Sequence, residues 1–186
     1  MRTRIYLAGI IALPALLAAA ASLPLSFQSG SRVWVSGTST VRGWRCESTQ
    51  VTGTAHAEGT ELTQVAQSRG EISIPLSSLD CRNATMNGHM RTALKASENP
   101  TLRFRATSVT VTPQGAARMT GPLTIAGQTR EVTINGTAAR ENGKLRVTGT
   151  KAITMTDFGV TPPRLMAGTM RVHAPVTVGF DVVLGQ

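Results

Sequence analysis

The C-terminal run Met170–Leu184 constrains the fold more than any other stretch. Val172, Ala174, Val176, Val178, Phe180, Val182 and Leu184 are apolar at every second position. Successive side chains of a strand point to opposite faces, so this run predicts a strand with one face buried along its length. Much of the remaining chain keeps the same period. Arg32–Thr40 reads as the first strand, with Trp34 inside it, and Cys46–Glu58 alternates weakly. Val65–Leu76 sets Ile72, Ile74 and Leu76 on one face. Thr101–Thr112 does the same with Leu102, Phe104 and Ala106, then changes phase to Val109 and Val111, the mark of a bulge. Met119, Gly121, Leu123 and Ile125 alternate, as do Val132, Ile134 and Gly136, then Leu145, Val147, Ile153 and Met155.

Turn residues separate these runs: Pro113-Gln114-Gly115, Ala126-Gly127 and Asn142-Gly143, the last being the strongest hairpin signal. Only 4 % of residues are aromatic and 16 % charged, while Gly, Thr, Ser and Val are abundant, a balance that favours strands and turns over helical bundles. A chain of 186 residues supports one domain with a real core. About eight antiparallel strands joined by short turns predict a sandwich or an up-and-down barrel. A closed barrel of that size is just wide enough for one small ligand. Gly121, Gly136, Gly149, Ala106 and Ala174 are small inward candidates that leave a cavity or accommodate a bend, and a filled core stays open as an alternative.

One segment breaks the β pattern. Leu79–Pro100 carries Met86, Met90 and Leu94 at four-residue spacing with Ala93 beside them, the stripe of a helix face, and Pro100 ends it. The N-terminus has the layout of a secretory signal peptide over residues 1–21: a positive start to Arg4, an apolar run Ile5–Leu17, and small residues such as Ala19-Ala20-Ala21 before a cleavage point. The alternative is a retained membrane anchor, since Ile5–Ala21 nears spanning length. No cysteine follows the small residues, which argues against a lipoprotein. Residues 22–31, with the Ser/Gly-rich Gln28–Ser31, read as a linker, and 32–186 as the folded domain. Export to the periplasm or beyond lets Cys46 and Cys81 pair, worth roughly 3–4 kcal/mol for a loop of that length. Two buried free thiols are the alternative.

The formal charge is +9, and +7 without Arg2 and Arg4. Such a surface suits anionic membranes, phosphate groups or nucleic acid. The arginines are scattered singly with no aromatics between them for base stacking, which argues against nucleic acid. His56, His89 and His173 have no metal-ligand spacing, and no nucleophile–base pattern is visible. Asp157-Phe158-Gly159 spells a kinase magnesium motif, but no glycine-rich loop, strand lysine motif or catalytic loop accompanies it. The chain therefore reads as non-enzymatic, with no cofactor required and no metal.

Five stretches, in order, resemble the YceI-like polyisoprenoid-binding proteins. They are Ser39-Thr40-Val41-Arg42-Gly43-Trp44; Leu79-Asp80 with Gly88-His89-Met90-Arg91 and Ala93-Leu94; Asn99-Pro100 with Leu102-Arg103-Phe104; Leu123 to Thr129; and Asp157-Phe158-Gly159-Val160. The resemblance spans about Trp34–Leu184. It implies an eight-stranded antiparallel up-and-down, lipocalin-like barrel with one short helix inserted after the third strand. It also implies an internal tunnel for a long isoprenoid amphiphile, a prenyl phosphate or a quinone. The sequence departs from the family pattern at Arg42-Gly43, where relatives have His-Asp, and at Ala126, where they have His.

The expected tail-lining residues are Phe104, Ile125, Ile134, Val147, Ile153, Val176 and Phe180, with plain core packing as the alternative for each. The expected head-group or mouth residues are Arg42, Trp44, His89, Met90, Arg91 and Phe158. Burying a methylene is worth about 0.8 kcal/mol, so a five-carbon unit supplies roughly 3–4 kcal/mol against an association cost of about 4–15 kcal/mol. A long tail is therefore favoured over a short one. The expected function is carriage or storage of such a lipid, with an anionic membrane surface and a homodimer as further expected partners. The alternative is a filled structural or stress-response interaction module without a lipid.

Overall fold

The structure is a computed structural model that describes residues 22–58 and 69–186. The signal-peptide reading of residues 1–21, and Val65–Ser68 of the third predicted strand, lie outside the described residues. The elements are β1 (Ser22–Phe27), β2 (Arg32–Ser39), β3 (Gly43–Ser48), β4 (Thr52–Glu58), β5 (Arg69–Pro75), α1 (Ala84–Ala93), β6 (Thr101–Ala106), β7 (Ser108–Val111), β8 (Ala116–Ile125), β9 (Gln128–Glu141), β10 (Lys144–Thr154), β11 (Arg164–Leu165) and β12 (Met170–Gly185).

All pairings are antiparallel, and the chain of neighbours β1-β4-β5-β6-β8-β9-β10-β12 is a ring. It closes where β1 meets β12, at Ser26↔Gly185 and Phe27↔Leu184. β2 continues the stave of β1 along β12, β3 continues that of β4, and β7 continues that of β6 along β8. The result is an eight-stave up-and-down barrel with α1 after the third stave. The long alternating run is the seam strand. β12 pairs with β10 over Leu145↔Leu184 to Thr154↔Pro175, and its other edge takes both β2 and β1.

Two staves break for identifiable reasons. Between β1 and β2 the buried Ser31 side chain fills the gap in the ladder, its hydroxyl donating to Gln28 O at 2.7 Å and accepting from Val183 N at 3.0 Å. The phase change predicted near Ala106 is the break at Thr107 between β6 and β7. There a side chain at Gly121 would run into the Arg105 carbonyl across the pair. Two tight turns behave as their residues predict, with positive φ at Ala126 (48°), Gly127 (79°), Asn142 (51°) and Gly143 (76°).

Residues 22–31 are not a plain linker. Ser22–Phe27 is a strand, because Leu25 and Phe27 pack onto the main core and so complete the ring. The helix is also shorter than Leu79–Pro100. Asn83 caps its start by accepting from Met86 N at 2.9 Å. Its end is a Schellman closure: Ala96 N donates to Arg91 O and Lys95 N to Thr92 O, with Lys95 left-handed at φ 51°. Leu79–Cys81 instead runs beside β3, exchanging Glu47 and Asp80 backbone hydrogen bonds at 2.9 and 2.8 Å. The Cys46–Cys81 disulfide fastens that segment to the wall.

Candidate functional site

The inward face of the barrel is largely apolar, Lys151 being an exception that shares the parity of Leu145, Val147 and Ile153 and pairs with Val178, and it is not filled. Of three voids along the interior, the one of about 150 Å³ lies under α1. Met86, His89, Met90, Ala93 and Leu94 roof it, the i, i+3, i+4, i+7, i+8 stripe of one helix face. Trp44 and Cys46 on β3, Val35 on β2, Ile125 on β8, Ile153 on β10 and Val176 and Val178 on β12 form its walls. Phe158, Val160, Pro163, Leu165, Met170 and Val172 complete its lining. A largely apolar void of about 150 Å³ is large enough for a benzene-sized group.

Two further voids continue along the interior. One of about 80 Å³ shares Val35, Leu102, Ile125 and Val178 with the first, and one of about 90 Å³ shares Ile72, Phe104 and Phe180 with the second. The interior is thus a row of three voids with side-chain partitions, where the resemblance implies one open tunnel. Packing explains the partitions. Phe180 lies directly across from Gly149, and a Cβ added to Gly149 would sit 2.9 Å from its ring. Trp44 covers Gly37 the same way, at 2.6 Å, and on the outer face Trp34 covers Gly179 at 2.5 Å. Aromatic rings laid on cross-strand glycines fill the space that the sequence leaves open as cavity or bend.

All seven residues expected along a tail lie on void walls. Ile125, Ile153 and Val176 border the first void, Phe104, Ile134 and Phe180 the second, and Val147 the third beside Phe104 and Phe180. Arg42, Trp44, His89, Met90 and Phe158 ring the first void. Arg91 does not. It sits in a shallow outer groove with Leu76, Ser77, Thr92 and Pro100, because a further 100° step past Met90 carries it off the roofing face. The sequence reading missed Pro163 and Leu165, which carry no periodic signal, while Met170 and Val172 stand in phase with the alternation.

Local hydrogen bonds hold the rim. The buried Ser39 hydroxyl donates to Arg42 O at 2.9 Å and accepts from Arg42 N at 3.1 Å, which folds the β2–β3 hairpin and sets Arg42 at the mouth. Trp44 Nε1 donates to Thr38 O at 3.3 Å, so its indole is satisfied while the ring faces the void. Met90 Sδ lies 3.9 Å from Cys81 Sγ, packing the roof onto the disulfide. At the helix start, hydrogen bonds from the Asn87 side chain and the Arg82 backbone hold the Asp80 carboxyl below the usual range. Among the described residues no carboxylate forms a salt bridge with Arg42 or His89. Nor do three His, Cys, Asp or Glu gather into a metal-binding group among them.

The strongest ion pairing is on the outer wall, away from the voids. Asp181 accepts from Arg146 Nε and Nη2 and from Arg32 Nη2, each at 2.8 Å. The Arg146 guanidinium first, and Arg32 second, hold its carboxyl below the usual range against the effect of burial.

The solved structures similar to this one are barrels of low sequence identity. BcnA of Burkholderia cenocepacia superposes with a TM-score of 0.72 at 18 % identity, over 83 % of this chain and 96 % of that one. A polyisoprenoid binding domain from Saccharophagus degradans, implicated in plant cell wall breakdown, gives 0.61 at 13 % identity over 86 % and 97 %. A mutant Campylobacter jejuni YceI protein gives 0.59 at 16 % identity over 74 % and 82 %. No curated protein matches the chain in sequence. The family model for the YceI-like domain matches residues 27–184, from the strand that closes the ring to the end of the seam strand. The chain belongs to the YceI-like family.

Proposed function

We propose that this protein is an exported, non-enzymatic lipid carrier that holds a long isoprenoid amphiphile, a prenyl phosphate or a quinone. The tail runs along the three voids and the head group sits at the rim. One observation carries the reading: the apolar interior is widest at the end where Arg42 and His89 stand free of described carboxylates. A guanidinium and an imidazole suit a phosphate or a quinone carbonyl. The leader pattern and the disulfide support export to an oxidising compartment. The polyisoprenoid-binding relative supports the ligand class.

The partitions favour a second reading. Voids of 150, 80 and 90 Å³ separated by side chains also suit a filled interaction module. Native mass spectrometry of protein recovered from its own host decides between the two. A bound amphiphile supports the carrier. Apo protein, with no melting shift on adding prenyl alcohols or phosphates, supports the filled module. Arg42→Gln with His89→Gln separates the head groups, because it weakens a prenyl phosphate and leaves the matching alcohol nearly unchanged. The expected homodimer is checked by light scattering on the same preparation.

A further inference from the structure

The segment from Pro162 to His173 folds over the first void as a small hairpin, β11 against the start of β12. Its two pairs are Arg164↔Arg171 and Leu165↔Met170. Its two faces differ in kind. Pro163, Leu165, Met170 and Val172 point into the void, while Arg164, Arg171 and His173 line an open outer groove. Two arginines directly opposite on one face repel each other. Among the described residues neither has a carboxylate partner.

The tip of this flap is held in an unusual form. Met166, Ala167 and Gly168 are all left-handed, at φ 52°, 53° and 90°, a conformation that side chains disfavour. Thr169 pins it, donating from N and Oγ1 to Met166 O at 3.1 and 2.8 Å, and Arg171 Nε donates to Gly168 O at 3.2 Å. The turn leaves Met166 73 % exposed. The β2–β3 hairpin tip lies beside it. Thr40 N donates to Arg171 O at 3.0 Å, and Arg171 N donates to Thr40 Oγ1 at 3.2 Å. That tip presents Val41, 68 % exposed. Val41 and Met166 are the two large apolar side chains that stand this far out among the described residues. Three cations, Arg42, Arg164 and Arg171, stand on the same two hairpins, and Asp157 at the base of the flap is the acidic residue of the 155–178 segment.

We propose that these two tips are a docking surface for an anionic lipid bilayer. Met166 and Val41 enter the interface, and the arginines meet lipid phosphates. Charge complementarity selects the anionic surface, and the exposed apolar pair selects a bilayer over a soluble polyanion, which has no use for it. Docking in this way sets the first void against the membrane, so the inference rests on the carrier reading and says where the lipid would enter and leave.

The test is flotation of the protein, as recovered from its host, with vesicles of phosphatidylcholine alone or with 30 % phosphatidylglycerol, a composition chosen as roughly that of an anionic leaflet. The wild type should float with the anionic vesicles and lose binding at high salt. Arg164→Gln should weaken binding about five-fold, the share of one basic residue near such a surface. Val41→Asp with Met166→Asp should weaken it about ten-fold or more, and aspartate tolerates the left-handed position. Binding of geranylgeraniol in vesicle-free solution should be the same in all variants, which shows that they fold. Equal flotation of wild type and variants overturns the proposal, as does retention on heparin without vesicle binding. Loss of geranylgeraniol binding in the wild type alongside variant-sensitive flotation would sink the carrier reading and leave the docking surface standing.

Discussion

Phe180 and Gly149 allow a test in which one substitution changes sign. Phe180 is 6 % exposed and stands between the second and third voids, with its ring on Gly149. Phe180→Ala removes the ring and should cost about 3–5 kcal/mol, as buried Phe→Ala changes do. Gly149→Ala alone adds a methyl 2.9 Å from Phe180 Cζ and 2.9 Å from Ile134 Cγ2. Overpacking of that kind costs about 1–3 kcal/mol. With the ring gone, the same methyl enters open space and needs only Ile134 to yield, and its burial stabilises by about 0.8 kcal/mol. The double variant should therefore be more stable than Phe180→Ala, and the two changes should couple by about 1–3 kcal/mol. Urea unfolding at 25 °C, with the slopes compared across the set, measures each step. Additivity within about 0.5 kcal/mol would refute the packing account. Phe180→Ala also merges two voids, so the melting shift given by a twenty-carbon prenyl alcohol should grow relative to that of a fifteen-carbon one.

Three shorter predictions come from other parts of the structure. Reduction of the Cys46–Cys81 bridge, which closes a separation of 35 residues, should cost roughly 3–4 kcal/mol and deprotect α1 amides before barrel amides in hydrogen exchange; an unchanged melting temperature in reductant would contradict it. Asp181 has a folded value below the unfolded one of about 3.9, so its stabilisation is complete above that value and fades as pH falls through the folded one. Asp181→Asn should accordingly be less stable than wild type at pH 7, and the gap should narrow below about pH 4; a constant gap across a pH series of denaturant melts would rule this out. Gly37→Ala puts a methyl 2.6 Å from the Trp44 ring and 3.0 Å from Val176, so it should drive the indole into the first void. Tryptophan emission should shift and prenyl alcohol binding should weaken, and unchanged emission with unchanged binding would show that the ring moves elsewhere.

Much of the barrel was legible from side-chain period, because burial on a two-sided sheet is written locally. The alternation in β12 marks its inner face, and the phase change after Ala106 marks the break in the fourth stave. The same parity puts Phe104, Ile125, Ile134, Val147, Ile153, Val176 and Phe180 on void walls. A four-residue stripe likewise places Met86, Met90 and Leu94 on the roof, although capping at Asn83 and the Lys95 closure trim the helix more tightly than Pro100 does. Arg91 adjoins the roofing residues in sequence, but the helix turns it away from them into the outer groove.

Ring closure, the partitions and the flap were decided elsewhere. Ser22–Phe27 does alternate, at Leu23, Leu25 and Phe27, but six residues directly after an apolar leader are too brief to stand out, and they form a strand because β12 and β4 offer open edges. Whether Gly149 leaves a hole depends on what lies across the ladder, and register, which joins residues far apart in the chain, puts Phe180 there. The flap has no periodic signal in Pro163 or Leu165; its apolar inner face exists because two short segments pair over an opening that the barrel creates. By itself the amino-acid order determined which side of each strand is greasy, where the chain turns, and that one helix interrupts it. Only the tertiary structure decided how much of the interior stays empty and what stands at its mouth, because void volume and rim composition are sums over contacts between distant residues that no local pattern encodes.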